Sequence, residues 1–325
     1  MSTIIQETVL DLLPANRRRS MGGWISFNAP CCHHRGHRTD SRGRGGMITD
    51  GGGSVSYHCF NCNFKVSYRP GWYLGYKFRK LLEWLGADQN TIHRLVIEAI
   101  SFRNEHGQGN FLLEKINIQF KPRSLPNDVV PVQQDLTALN YCLSRKINLT
   151  KYPLLVSQRP EHNLNRRIII PFTWQHQLIG YTARSWDNAV SPKYHSQYDS
   201  NYVFNIDQQH RDSQFVIVCE GPFDAMSVDG VAILGNECNE TQADIIDNLG
   251  REVIVVPDRD RAGSKLITNA IDYGWSVSFP VWLETSKDIN EATVHHGPLF
   301  VLKTILDARE TSKLKIELMR KRLYT

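Results

Sequence analysis

At 325 residues the chain has room for about two domains of ~150 residues each. Its 41% hydrophobic and 22% charged content excludes a disordered or fibrous protein, and no apolar run approaches the ~18 residues of a membrane span. The net charge of +5 hides an asymmetry: residues 1–80 carry 12 Lys/Arg against 4 Asp/Glu, residues 81–300 carry 19 against 26, and the last 25 carry 7 against 3.

A basic N-terminal module beside an acidic middle suits a polyanion-binding part next to a part that concentrates carboxylates. Glu7 and Asp11 interrupt the only apolar stretch near the N-terminus, so secretion is not expected and the chain is read as cytoplasmic. Seven cysteines is an odd number, and four of them fall in two tight groups, which in a reducing compartment points to metal ligation rather than disulfides.

Residues 1–70 are rich in Gly, Arg, Cys and His. Cys59 and Cys62 form a C-x-x-C knuckle whose spacing lets two thiolates reach one tetrahedral Zn²⁺. Cys31 and His34 copy that spacing and are the expected partners, with Cys32 and His37 as the second choice. Tyr57, Phe60, Phe64, Tyr68, Trp72 and Tyr73 alternate with Arg42, Arg44, Lys65, Arg69 and Lys77 around them. Aromatic faces beside cations suit single-stranded nucleic acid, although some of these rings belong to the small ribbon's own core.

Residues 71–125 read as a helical linker, with Gly86 splitting the periodic run from Tyr76 to Val96 into two helices and prolines punctuating the stretch from 101 to 135. From residue 126 on, apolar runs at Ile168–Ile170, Leu178–Ile179, Phe215–Cys219, Val231–Leu234, Val253–Val256 and Val277–Leu283 predict strands. The later ones alternate with helical patterns at Pro222–Val228, Thr241–Leu249 and Ser264–Tyr273. That alternation predicts an α/β fold with a parallel sheet. Divisions are expected at 126–212, 213–293 and 294–325, the last a helical tail in which Val301–Thr325 reads as a basic amphipathic helix that either docks on a partner or packs on the core. No G-x-x-x-x-G-K-[ST] phosphate loop is present, which argues against a nucleotide-driven motor.

Two acidic clusters directly follow strands. FVIVCEGPFD places Glu220 at a strand end and Asp224 one turn into a helix; VIVVPDRDRAG places Asp258 and Asp260 at the next such end. Ligand sites of open parallel sheets lie beyond these C-terminal tips, so the two clusters are expected to meet. Carboxylates gathered that closely call for a cation, and Mg²⁺ suits hard oxygen donors. Taken singly, such acids merely favour helix N-termini and turns. Asp288, in KDINEA, is a weaker fifth acid.

E-G-x-x-D followed by D-x-D-x-x-G resembles the TOPRIM domain of bacterial-type primases, topoisomerases and some nucleases. Upstream, RRIIIPF, the G-x-x-x-R ending in Arg184, SPKY with Lys193, and LNYCLSRKI with Arg145 resemble the RNA-polymerase core of DnaG-type primases. RGRGG and YHCFNC resemble stretches of T-even-like bacteriophage primases. The resemblance implies a TOPRIM sheet with flanking helices inside a primase core over 126–325, preceded by a zinc-ribbon β domain.

On that footing Glu220, Asp258 and Asp260 are catalytic, and with Asp288 would hold one or more Mg²⁺. Arg145, Arg167, Arg184, Lys193 and Asp224 would contact substrate or template, and a single structural Zn²⁺ would sit on Cys31, His34, Cys59 and Cys62. The implied activity is DNA-dependent synthesis of RNA primers from ribonucleoside triphosphates on single-stranded DNA, in a cytoplasm that is a host's if the chain is phage-encoded. A replicative hexameric helicase and a single-stranded-DNA-binding protein are the implied partners, with no membrane. A TOPRIM nuclease and a non-enzymatic recombination mediator are the alternatives. Departures from the family pattern include Lys146, Arg259 within D-x-D, and Asn290 where a second acid often follows Asp288.

Overall fold

The computed structural model describes residues 4–106, 118–159, 163–187, 189–210, 213–260, 263–282 and 286–324. The chain forms two compact units, Met1–Glu114 and Lys115–Thr325. Part of the expected linker, 107–117, and the end of the last predicted strand run, at Leu283, lie outside the described residues.

The first unit opens with α1 (Ile4–Leu12), which sequence reading left unassigned. An antiparallel meander follows: β1 (Arg18–Arg19), β2 (Ile25–Phe27), β3 (Gly45–Thr49), β4 (Val55–Cys59) and β5 (Lys65–Tyr68), with the one-turn α2 (Cys31–His34) between β2 and β3. Along β4 the buried residues alternate, so Val55, Tyr57 and Cys59 face inward while Ser56 and His58 face outward. The helices α3 (Tyr76–Trp84) and α4 (Gln89–His106) do not form a separate linker. Phe78, Leu81, Leu82, Ile92 and Leu95 join Ile5, Val9, Phe27 and Met47 in one hydrophobic core, so the ribbon and the helical pair are a single body. A five-stranded ribbon has too little apolar surface of its own, and the helices supply the missing face.

The second unit holds two five-stranded sheets. One is antiparallel in the order β10-β9-β8-β7-β6, from β6 (Val129–Pro131), β7 (Leu155–Ser157), β8 (Arg167–Trp174), β9 (Gln177–Ser185) and β10 (Tyr194–Gln197). The helix α5 (Leu136–Ser144) lies between β6 and β7 in sequence and is capped by Asp135, whose side chain accepts from Ala138 N–H.

The other sheet is β12-β11-β13-β14-β15, from β11 (Phe215–Cys219), β12 (Val231–Ala232), β13 (Glu252–Val255), β14 (Ser276–Ser278) and β15 (Arg309–Glu310). The crossovers are α6 (Pro222–Val228), α7 (Glu240–Asp247) and α8 (Gly263–Tyr273), and β11 to β14 are parallel. The chain passes from β11 to β12 on one side, then returns to β13 on the other. This makes β11/β13 the topological switch point. Phe204 bridges Ala232 at one edge, and β15 runs antiparallel to β14 at the other.

The C-terminal segment is not one amphipathic helix. It is α9 (Ile289–His296), α10 (Pro298–Asp307), β15 and α11 (Lys313–Tyr324), with Val301, Ile305 and Ile316 buried in the core of this unit. Among the described residues no helix is long and apolar enough to cross a membrane.

Candidate active site and metal centre

The strands β11 and β13 are hydrogen-bonded neighbours with Val218 opposite Val255, so Glu220 and Asp258 leave the sheet at the same level. Glu220 accepts a hydrogen bond from the Asp258 backbone N–H, and one of its oxygens, Oε1, is buried with no hydrogen-bond partner among the described residues. Gly221 precedes α6, and Pro222 occupies the first helical position. A Cβ on Gly221 would lie 2.8 Å from Asp224 Oδ2, so the E-G-x-x-D spacing needs glycine for Asp224 to fold back over the strand end.

Asp260 and Asp288 do cap helices: Asp260 Oδ1 accepts from Gly263 N–H at 3.1 Å and Asp288 Oδ1 from Glu291 N–H at 2.7 Å. Capping explains these two aspartates and leaves the orphaned Glu220 oxygen unexplained.

The acids act on one another. Burial pushes Glu220 up to about 7, with the charges of Asp260 and Asp224 adding to it against the Asp258 N–H donor. Burial, then Glu220, Asp288 and Asp260, push Asp258 up to about 8, opposed by Lys193. Asp224 is held well above the carboxylate range by burial, Asp288 and Asp258, opposed by the Asn290 N–H and Arg184. Protons or cations must therefore supply positive charge here at neutral pH. Among the described residues no three of these acids place oxygens within 4.8 Å of one another.

The basic residues meet the acids from the other sheet and from α5. Arg184, on β9, is buried between the rings of Phe223 and Tyr194, at 4.6 and 5.3 Å from their centroids. It donates to the hydroxyls of Tyr141 and Tyr194 and is attracted by Asp224. Arg145, just past α5, donates to Asn290 Oδ1 at 2.9 Å. Lys193 is exposed; burial and the repulsion of Arg184 and Arg145 lower its pKa, against the pull of Asp288 and Asp224.

One expectation needs correction. Arg167 does not face a phosphate: only 3% exposed, it donates to the backbone oxygens of Ala183, Pro192 and Lys193, tying the SPK loop to β9. Asp224 is 5% exposed and, as the position of the two acidic clusters implies, lies among the acids. Tyr141, Tyr194 and Asn290 were not predicted from sequence. Both tyrosines stand inside the basic motifs, which is the only sequence signal they carried.

In the first unit the sulfurs of Cys31, Cys32, Cys59 and Cys62 all lie within 4.8 Å of one another. Cys31 to Cys62 is 3.4 Å and Cys32 to Cys59 is 3.5 Å, too long for disulfides and near the spacing of about 3.8 Å that a tetrahedral zinc with ~2.3 Å bonds requires. His34 is not the fourth donor. The helical turn of α2 buries both adjacent thiols and leaves His34 stacked on Trp84, 5.2 Å between centroids and 6° between planes.

The thiolates have donors in place. Asn61 Nδ2 donates to Cys32 Sγ at 3.2 Å, and the N–H groups of Asn61 and Cys62 point at Cys59 Sγ. Burial works against the Cys59 thiolate, but those N–H groups bring its pKa below the ordinary value. Asn61 is held by Arg44, which is held by the buried Asp40. Burial pushes the Cys31 and Cys32 thiols up, so the fit to structural zinc rests on the donor set and its spacing.

The segment around the acids matches a known family, described as Toprim-like, over residues 217–293. A curated DNA primase of Aquifex aeolicus (strain VF5) is 25% identical over 177 residues, 49% of this chain and 36% of that protein, so the match spans about a third of its length. Among solved structures, the zinc-binding and RNA-polymerase domains of the Aquifex aeolicus primase align at 19% identity with a TM-score of 0.47, covering 99% of this chain and 91% of that one. A DnaG primase catalytic domain bound to single-stranded DNA aligns at 18% identity with a TM-score of 0.47, covering 59% and 78%. The primase fragment of the bacteriophage T7 primase-helicase aligns at 13% identity with a TM-score of 0.40, covering 86% and 99%. The acids described above, from Glu220 to Asp288, all fall within the segment that matches the Toprim-like family.

Proposed function

We propose that the chain is a DNA primase, joining ribonucleoside triphosphates into short RNA primers on single-stranded DNA. The observation that carries this reading is the facing of two charge sets at one sheet tip: Glu220, Asp224, Asp258 and Asp288 against Arg145, Arg184 and Lys193. Acids alone would suit a nuclease as well. Adjacent fixed cations add a place for a polyphosphate, and the likeness to a curated DNA primase agrees.

In this reading Glu220, Asp258, Asp260 and Asp288 hold divalent ions. Bound there, such ions neutralise the triphosphate and lower the pKa of the attacking 3′-hydroxyl. Lys193 and Arg145 hold phosphate oxygens, and Arg184, fixed by two tyrosine hydroxyls, sets the potential on Asp224. In the first unit Phe60, 66% exposed and 4.3 Å from the His58 ring, offers a stacking surface to unpaired bases beside Arg42 and Arg44.

The test supplies single-stranded DNA, labelled ribonucleotides and Mg²⁺ to the full chain. Oligoribonucleotides are expected from the wild type and none from Glu220→Ala or Asp258→Ala, with DNA binding retained by both. Cut DNA, or normal synthesis by either variant, refutes the assignment.

A further inference from the structure

Asn290 links one of the acids, Asp224, to one of the bases, Arg145. It is 1% exposed, at the second position of α9. Its backbone N–H donates to Asp224 Oδ1 at 2.9 Å. Its side-chain Oδ1 accepts from an Arg145 guanidinium N–H at 2.9 Å, while Nδ2 donates to the Arg145 carbonyl at 3.0 Å and to Ser227 Oγ at 2.9 Å. One amide thus grips Arg145 at both its side chain and its backbone, across 145 positions of sequence, and braces α6 through Ser227.

The chemistry of the grip matters as much as its geometry. A carboxylate at this position would form an ion pair with Arg145 and spend its charge internally. It would also add another negative group beside Asp224, which is already buried and already faces Asp288 and Asp258. A neutral amide fixes the guanidinium by hydrogen bonding and leaves its charge in place. Arg145 and Arg184 both act on exposed Lys193, so the three bases stand close together on the side of the site that faces the acids. A guanidinium held there by a neutral amide keeps its charge for a phosphate oxygen.

We propose that Asn290 is a positioning residue that presents Arg145, unneutralised, to the polyphosphate of the incoming nucleotide. This deepens the primase reading and rests on it for the identity of the anion.

The experiment measures binding of Mg²⁺-ATP to the full chain by competition with inorganic triphosphate across a salt series, alongside KM and kcat for primer synthesis. Asn290→Asp is expected to weaken triphosphate binding and raise KM roughly tenfold, the usual scale for one hydrogen bond to a charged group. It should also flatten the salt dependence by about one charge and change kcat much less. The added carboxylate shifts the salt slope by its charge alone, so the double variant is what separates positioning of Arg145 from simple repulsion. In an Arg145→Gln background the Asn290→Asp change should have no further effect on affinity.

Should Asn290→Asp fold poorly, Arg145→Lys reads the same coupling, because it keeps the charge and loses the planar fork; affinity is expected to fall as in Arg145→Gln. Wild-type affinity and salt slope in Asn290→Asp, full additivity in the double variant, or undiminished binding by Arg145→Lys each overturns the proposal. A wild type that binds triphosphate but makes no RNA refutes the primase reading and leaves this one standing. A wild type that binds no triphosphate ends both.

Discussion

Glu220 and Asp258 retain protons to about pH 7 and 8, whereas in an unfolded chain they release them near 4.5 and 3.8. Through the intervening range the native state binds more protons than the unfolded one, so their contribution to stability is greatest in acid and is lost as pH rises through 7 and 8. Without metal, the melting temperature should therefore drop between pH 5 and 8. Added Mg²⁺ should raise it more at pH 8 than at pH 6, by binding only the native state. Glu220→Gln and Asp258→Asn should each flatten the pH profile and shrink the Mg²⁺ effect; melting curves indifferent to both variables would contradict the clustering. Gly221 gives a steric counterpart. With a Cβ at 2.8 Å from Asp224 Oδ2, Gly221→Ala must displace that carboxylate, and a several-fold loss of Mg²⁺ affinity in a protein that still folds is the expected result, read by titration calorimetry.

The zinc site is decided at the level of the element. Cys32→Ser should release zinc, while His34→Ala should keep one zinc per chain and lose only its stack on Trp84, as measured by metal analysis after dialysis. The sequence spacing Cys31-x-x-His34 suggested the opposite, because it treats ligands as pairs on a string. What the spacing could not show is that residues 31–34 coil into one turn and bury two successive thiols. The C-x-x-C at Cys59 was legible, since β4 delivers the first thiol inward by strand alternation and the tight turn at Asn63, in left-handed backbone, returns the second. The strand tips bearing Glu220 and Asp258 were legible for a related reason: apolar runs followed at once by acids mark the end of a buried parallel strand. Arg167 was misread because a basic residue opening a strand looks the same in sequence whether it reaches outward to a phosphate or inward to three carbonyls. Nothing local in KDINEA could show that Asn290 meets Arg145, a contact that only the tertiary fold creates.

At the scale of the whole chain, charge and architecture agree. The basic excess of residues 1–80 falls within the first unit and the carboxylates in the second, so nucleic-acid binding by the full chain should weaken steeply with salt while Mg²⁺-dependent stabilisation should depend on it less. The closing segment is structural: Ser278 Oγ donates to Ile305 O, and both residues are fully buried. Ile305→Ala should cost about 2–5 kcal/mol by denaturant unfolding, the range for emptying a well-packed aliphatic site.

The two-residue strand β15 also does something its length would not suggest. It covers the open side of β14, while the Phe204 bridge closes off β12 at the far side, so the parallel sheet offers a neighbouring molecule little exposed backbone on which to zip. Removing residues 308–325 should leave the carboxylates in place and yet yield a protein that self-associates on standing, visible as rising light scattering.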